Sequence, residues 1–120
     1  MNVLIAEDEF ATADAIQRLV SRMGHSTEWA CTGTEALGAL EDHHCQLVIL
    51  SAQLRDADIV HLLPRLRAHY PELPVVALTA HNSDALERQV RQLGVIYYLI
   101  KPLDIDELGA IVSHVSRKQA

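Results

Sequence analysis

The sequence predicts an α/β fold in which five parallel β-strands form one sheet with helices packed on both of its faces. Short apolar runs alternate along the chain with segments whose apolar residues recur every three or four positions, the spacing of an amphipathic helix. The runs at residues 47–50 and 75–78 contain no polar residue, which is typical of strands buried on both faces. This alternation favours a parallel sheet with right-handed crossovers.

The predicted strands are the apolar or β-prone runs, and they cover residues 3–6, 26–30, 47–50, 75–78 and 95–100. The predicted helices cover residues 11–23, 34–40, 62–68, 83–93 and a final segment that starts at Asp104. Gly24 and Gly94 end the first and fourth helices, and Glu107 forms a capping-box pattern with Asp104. Because proline breaks an interior helical turn, Pro64 predicts a third helix that starts late or is distorted.

The composition is that of a globular protein, and we expect residues 1–120 to form a single domain with no effector domain attached. Hydrophobic residues make up 49% of the chain and charged residues 22%, which excludes a disordered chain. The net charge of −6 argues against nucleic acid as a partner. No apolar run approaches the roughly 18 residues of a membrane span, and no signal peptide precedes the first strand. Cys31 and Cys45 are interpreted as free thiols in a reducing compartment, so we expect a cytoplasmic protein.

Polar residues follow four of the predicted strands, at the sheet edge where functional sites of such folds lie. They are Glu7, Asp8 and Glu9 after the first strand, Ser51 after the third, Thr79 after the fourth, and Lys101 with Pro102 after the fifth. Adjacent carboxylates repel each other, and a hard cation such as Mg²⁺ relieves the repulsion. A hydroxyl can bond a phosphoryl oxygen, and a lysine can neutralise its charge. Each residue alone is better explained as a cap or a solvated loop, but together they predict metal-assisted phosphoryl chemistry.

Four segments carry a resemblance to a known family. They are residues 3–9 (VLIAEDE), 47–50 (LVIL), 74–80 (PVVALTA) and 98–103 (YLIKPL). In this order and spacing they resemble the response-regulator receiver domain, the phosphoacceptor module of two-component signalling, over essentially the full chain. The resemblance implies a flavodoxin-like, doubly wound sheet of five strands in the order 2-1-3-4-5, flanked by five helices.

The resemblance also implies a role for each matching residue. Glu7 and Asp8 resemble the acidic pair that binds Mg²⁺, and Thr79 resembles the switch hydroxyl. Tyr98 resembles the aromatic residue whose rotation reports activation. Lys101 resembles the family's lysine, and its peptide bond to the following Pro102 is predicted to be cis.

The position after the third strand departs from the family, whose members carry the phosphorylated aspartate there. Ser51 occupies this position, and a hydroxyl cannot form an acyl phosphate and needs a base in order to attack. Asp56 and Asp58 are poor substitutes, because five extended residues span about 16 Å. Asp58 is interpreted as a loop or helix cap. Arg55 and Ile59 stand where the family usually has proline and glycine, so the path of this loop is expected to differ.

We therefore expect a pseudo-receiver, a signal-transduction module without enzymatic activity that acts by protein–protein interaction and independently of phosphorylation. The change at Ser51 removes one anionic ligand, so Mg²⁺ binding is expected to be weak, and no other cofactor is expected. A histidine kinase or another signalling protein is the expected partner, with no nucleic acid and no membrane. In the absence of an acceptor carboxylate, Lys101 is expected to pair with Glu7 or Asp8.

A homodimer is a further expectation, through the face formed by the fourth helix, fifth strand and fifth helix. Residues 95–97, at the start of the fifth strand, are more apolar than is usual in the family, and exposed apolar patches often mark contact surfaces. Burial of these residues under neighbouring helices is the alternative.

Three other functions stay open at the level of the sequence. A conventional receiver would use Mg²⁺ and another acceptor residue, and a serine-phosphorylated regulator would be modified at Ser51. A small flavodoxin-like cofactor-binding protein would need a phosphate-binding loop, whereas acids follow the first strand. The run His43-His44-Cys45 has no second ligand pair at suitable spacing and is interpreted as a solvated loop rather than a metal site.

Overall fold

The computed structural model describes residues 1–119 and shows the predicted alternation of strands and helices. The strands are β1 (Asn2–Ala6), β2 (Ser26–Ala30), β3 (Leu47–Ser51), β4 (Val75–Thr79) and β5 (Tyr97–Ile100). The helices are α1 (Phe10–Arg22), α2 (Gly33–Asp42), α3 (Ile59–His69), α4 (Asp84–Gln92) and α5 (Ile105–Gln119). Neighbouring strands pair in parallel, in the order β2-β1-β3-β4-β5. The predicted fold class and strand order are confirmed.

The sheet has one apolar layer on each face, because successive residues of a strand point to opposite faces. The helices pack against these two layers. Leu4 and Leu50 belong to the layer that packs against α2, α3 and α4. Ile5 and Ile49 belong to the layer that packs against α1 and α5. Every residue of β3 and β4 is buried, since these strands are covered on both faces. The close packing of this sheet fixes the positions of the side chains that follow its carboxyl ends.

Helix α3 starts earlier than the sequence predicted. It begins at Ile59 rather than at residue 62, so that Pro64 lies inside it instead of near its first position. The side chain of Asp58 caps the helix by accepting a hydrogen bond from the backbone N–H of His61 at 3.1 Å. Ile59 and Leu62 are buried against the sheet, while Pro64 faces solvent. The cap and the apolar face offset the one backbone hydrogen bond that proline cannot donate.

Strand β5 is shorter than predicted, because it begins at Tyr97 rather than at residue 95. The turn that follows α4 requires a left-handed backbone at Gly94, with φ of +92°, and glycine adopts this conformation without strain. Ile96 belongs to this turn, and its N–H donates to the Val75 carbonyl at 2.9 Å. The Lys101–Pro102 peptide bond is cis, as predicted. Within residues 1–119, no helix combines the length and the hydropathy that a membrane span needs.

Candidate functional site

The polar residues predicted at the strand ends converge at one edge of the sheet. Ser51 and Thr79 are the last residues of β3 and β4, and Glu7 and Lys101 directly follow β1 and β5. Among the residues that the structure describes, the buried polar side chains are Glu7, Ser51 and Thr79, which are 0%, 3% and 0% exposed. Burying polar groups is costly unless they find partners. Their concentration here marks this edge as the candidate site.

Lys101 forms an ion pair with Glu7, one of the two partners expected from the sequence. The Glu7 side chain is fully buried, and that of Lys101 is 14% exposed. The ammonium contacts Oε1 of Glu7, and Oε2 accepts a hydrogen bond from the backbone N–H of Glu9 at 3.2 Å. Oε2 of Glu7 therefore has a hydrogen-bond donor within the domain, whereas Oε1 accepts no hydrogen bond and has the Lys101 charge as its partner.

A residue that the sequence analysis missed, Gln53, connects the two buried hydroxyls. The Ser51 hydroxyl donates to the backbone carbonyl of Gln53 at 3.3 Å. The Thr79 hydroxyl donates to the side-chain oxygen of Gln53, also at 3.3 Å, and accepts the N–H of His81 at 3.0 Å. The sequence does show an amide side chain two residues beyond a buried strand. The direction in which this side chain points depends on the path of the loop, which the sequence does not define.

Asp56 and Asp58 cap helices. Asp56 accepts backbone N–H bonds from Gly33 at 2.7 Å and Thr34 at 3.1 Å, at the N-terminus of α2. These bonds favour the charged carboxylate, and they lower the pKa of Asp56 from its ordinary value. Hydrogen bonds from His61 in the same way lower the pKa of Asp58, the cap of α3. Both carboxylates are bound to helix N-termini, and Asp58 has the role of helix cap that the sequence predicted.

Tyr98 lies in an inward position beside the loop that follows β4. Its side chain is 8% exposed, and its hydroxyl donates to the side-chain oxygen of Asn82 at 2.8 Å. Burial, together with the carboxylate of Glu87, raises the pKa of the Tyr98 hydroxyl. Asn82 was not singled out in the sequence, because nothing there shows which side chain meets the tyrosine.

The oxygen ligands available to a divalent cation are few. Mg²⁺ binds through one or two protein carboxylates together with waters. Glu7 is occupied by Lys101 and by the N–H of Glu9, which leaves Asp8 as the carboxylate of the predicted acidic pair without such partners. Across residues 1–119, no three His, Cys, Asp or Glu side chains are grouped so as to hold a metal ion. The residues present therefore fit Mg²⁺ poorly.

The face of α4, β5 and α5 carries exposed apolar side chains. Ile100 is 51% exposed, Ile96 is 40% exposed and Tyr97 is 37% exposed. Ile96 and Tyr97 line a groove of about 380 Å³ together with His114 and Val115 of α5. Of the three residues at 95–97, Ile96 and Tyr97 are thus on the surface, whereas Val95 is partly buried and packs against the apolar layer of α2, α3 and α4.

Comparison with known proteins identifies the class to which this fold and site belong. Residues 3–113 match the family model described as "Response regulator receiver domain". The chain belongs to this family. The family match favours a receiver domain over the alternative of a small flavodoxin-like cofactor-binding protein.

Curated relatives are longer proteins. The chain is 30% identical to "Regulatory protein AtoC" of Escherichia coli K12, over 98% of this chain and 26% of that protein. It is 28% identical to "Transcriptional regulatory protein ZraR" of the same strain, over 92% of this chain and 25% of that protein. The chain thus spans about a quarter of the length of these relatives.

Solved structures of similar length share the fold throughout. A two-component response regulator from Clostridium difficile superposes with a TM-score of 0.94 at 26% identity, over 99% of this chain and 98% of that one. The receiver domain of the Francisella response regulator 1452 gives a TM-score of 0.90 at 28% identity, with the same shares. The chain is a receiver module of two-component signalling, a class whose members interact with histidine kinases and commonly bind Mg²⁺ for phosphorylation.

Proposed function

We propose that this chain is a pseudo-receiver, which passes on a signal through protein–protein contacts and does not accept a phosphoryl group at Ser51. The observation that carries the proposal is the side chain at the end of β3. Ser51 is 3% exposed and donates its hydrogen bond to the Gln53 carbonyl. A serine hydroxyl there offers no carboxylate from which an acyl phosphate could form.

The surroundings of Ser51 do not activate it as a nucleophile. An alcohol needs a nearby base to accept its proton, and the oxygen that accepts the Ser51 hydrogen bond is a weakly basic backbone carbonyl. The buried carboxylate of Glu7 is neutralised by Lys101. Modification by a serine kinase is disfavoured as well, because a kinase would have to reach a side chain that is almost fully buried.

The internal contacts of the site support the same proposal. Lys101, Thr79 and Tyr98, the residues that resemble the family's responsive groups, each have a partner inside the domain: Glu7, Gln53 and Asn82. A phosphoryl group would have to displace these contacts before it could recruit the lysine or the threonine. In this proposal Mg²⁺ binds weakly at most, and the domain performs no catalysis of its own.

We further propose that residues 1–120 act as one cytoplasmic module whose partners are a histidine kinase or another signalling protein. The proposal rests on the family's interaction with kinases and on the net charge of −6, which disfavours nucleic acid. The exposed side chains of Ile96, Tyr97 and Ile100 support self-association through the face of α4, β5 and α5.

The test is binding of beryllofluoride, which mimics a phosphoryl group on a carboxylate, in the presence of Mg²⁺. Fluorine NMR reports the bound complex directly. We expect no bound signal for the natural chain and a bound signal for the Ser51→Asp variant, in which the carboxylate is restored. A bound signal of the natural chain that is lost on Lys101→Ala would contradict the proposal, because it would show a functioning pocket without the aspartate.

A further inference from the structure

Two aromatic side chains pack against each other on the surface, beside the loop that joins β1 to α1. Phe10, the first residue of α1, is 66% exposed, and Trp29 of the edge strand β2 is 40% exposed. Their ring centroids are 5.8 Å apart and their planes are tilted by 59°. Neither ring belongs to the two apolar layers of the core. The pair therefore presents apolar surface to solvent without contributing to the interior.

The pair is held in place by the backbone. The indole N–H of Trp29 donates to the carbonyl oxygen of Glu7 at 2.8 Å, and the strand that carries Trp29 pairs with β1 along its whole length. Phe10 is fixed at the start of α1. Because these rings are already held in place, the patch itself loses little conformational entropy when a partner binds. Tryptophan and other aromatic residues held in this way are frequent anchors of protein interfaces.

Negative charge lies next to the rings. Asp8, which is partly exposed, and Glu9, which is exposed, directly precede Phe10 in the chain. The ion pairs among residues 1–119 do not include either carboxylate. Glu9 accepts a hydrogen bond from the Thr12 hydroxyl, but this neutral group does not compensate the charge of the Glu9 carboxylate. We call Asp8, Glu9, Phe10 and Trp29 the aromatic–acidic patch.

The chemistry of this patch selects a cationic and partly apolar ligand. Guanidinium and ammonium groups are attracted to the faces of aromatic rings, and to carboxylates through their charge. The methylene stem of an arginine or lysine can cover the ring while its charged end reaches the acids. A second copy of this chain docked through the same patch is disfavoured as the occupant, because the carboxylates of the two patches would face each other.

We propose that the aromatic–acidic patch is a docking surface for a basic segment of a partner protein, in which arginine or lysine side chains alternate with apolar ones. The proposal shares only Asp8 with the acidic pair of the candidate site and does not use Ser51. Its test uses neither Mg²⁺ nor a phosphoryl mimic, so its failure is distinguishable from a failure of the proposed pseudo-receiver function.

Trp29 is the single tryptophan of the chain, so its fluorescence reports on the patch directly. The probe is a seven-residue peptide of alternating arginine and leucine, and the matched control peptide has glutamate in place of arginine. We expect saturable quenching of Trp29, with a dissociation constant on the order of 100 µM at low salt. Because salt screens the charges, the dissociation constant should rise about tenfold in roughly 0.5 M salt. The control peptide is expected to leave the emission unchanged.

Variants assign the binding to the patch. Phe10→Ala and Glu9→Gln should each weaken binding by about fivefold, as expected for the loss of one contact on the ring or one charge. Ile100→Ala, on the opposite edge of the sheet, should bind as the natural chain does. Amide chemical shifts of the natural chain should change at residues 8–10 and 29, which keeps the test independent of variant folding. Unchanged Trp29 emission up to about 1 mM peptide, or shifts confined to other surfaces, would overturn the proposal.

Discussion

The ammonium group of Lys101 is paired with the carboxylate of Glu7, which is completely buried at the carboxyl end of β1. The two residues follow strands at different positions in the sheet, since β3 and β4 lie between β1 and β5. Their contact therefore spans the candidate site and places the lysine charge on an internal acid. In the pseudo-receiver that we propose, this ion pair and Ser51 are the two features that set the site apart from one that is ready to receive a phosphoryl group.

Removing the lysine should destabilise the fold, because it leaves a buried carboxylate without its counterion. Breaking a buried pair from one side costs about 3–5 kcal/mol, and we expect the lower end for Lys101→Met. Urea unfolding followed by circular dichroism gives the free energy. The double variant Glu7→Gln with Lys101→Met should recover most of the loss. Arg18→Met, which breaks an exposed pair with Asp14, should cost about 0.5 kcal/mol. A loss below about 1 kcal/mol for Lys101→Met would show that the pair is unimportant.

Shortening Gln53 should release the Thr79 hydroxyl and loosen the loop that follows β4. Gln53→Ala removes the acceptor of the Thr79 hydrogen bond, at a cost of about 1 kcal/mol. Faster hydrogen exchange at the His81 amide, which donates to Thr79, is the expected local result. Gln17→Ala is the control, because it loses a comparable bond to Thr27 in a different part of the molecule. Equal rates of hydrogen exchange at the His81 amide in the Gln53→Ala and Gln17→Ala variants would exclude a role for Gln53 in positioning the Thr79 hydroxyl.

Asp56 should make the stability of the fold sensitive to acid. Hydrogen bonds from Gly33 and Thr34 lower the pKa of Asp56 from its ordinary 3.8. A group whose pKa is lowered by folding contributes stability that is fully present above 3.8 and disappears as the pH falls through the lowered value. Asp56→Asn should therefore lower the thermal midpoint near neutral pH, and the difference from the natural chain should narrow in strong acid.

Thermal midpoints of the Asp56→Asn variant and of the natural chain at about pH 6, 4 and 3 show whether the difference between them narrows as the pH falls. The control is Asp42→Asn, at an exposed position at the end of α2, which removes a carboxylate that caps no helix N-terminus and should change the thermal midpoint little. If the thermal midpoints of Asp56→Asn and the natural chain differ by the same amount across this range, the charge of Asp56 does not contribute to the stability of the fold.

Self-association through β5 should depend on Ile100, which is 51% exposed. A charged side chain within an apolar contact disfavours its burial, so Ile100→Glu should be monomeric where the natural chain dimerises. Light scattering at concentrations from about 10 to 500 µM measures the change. Phe10→Ala, at the other edge of the sheet, should associate normally. A natural chain that stays monomeric throughout this range would argue against the dimer face.

The fold could be predicted because its strongest signals are local. The apolar runs of β3 and β4 need no long-range information to be identified as doubly buried strands. The predicted start of α3 is too late, because Pro64 disfavours an interior helical turn whereas the cap at Asp58 and the apolar face that begins at Ile59 extend the helix ahead of it. Tertiary packing decided that boundary.

The candidate site was predictable only in part, for a physical reason. Glu7, Ser51, Thr79 and Lys101 follow strands, and a parallel sheet brings strand ends together. The contacts of Gln53 and Asn82 depend on how loops fold back across the sheet edge. The Phe10–Trp29 pair joins residues nineteen positions apart, in elements whose side chains meet only once β2 has paired with β1.

The most direct test of the account is the mass of the intact chain after incubation with acetyl phosphate and Mg²⁺. Acetyl phosphate donates to a receiver aspartate without a kinase, so the result does not depend on finding a partner. We expect the natural chain to stay unmodified and the Ser51→Asp variant to gain the mass of one phosphoryl group. A phosphoryl group on the natural chain, located at a side chain of the site around Ser51, would contradict the claim that this receiver works without phosphorylation.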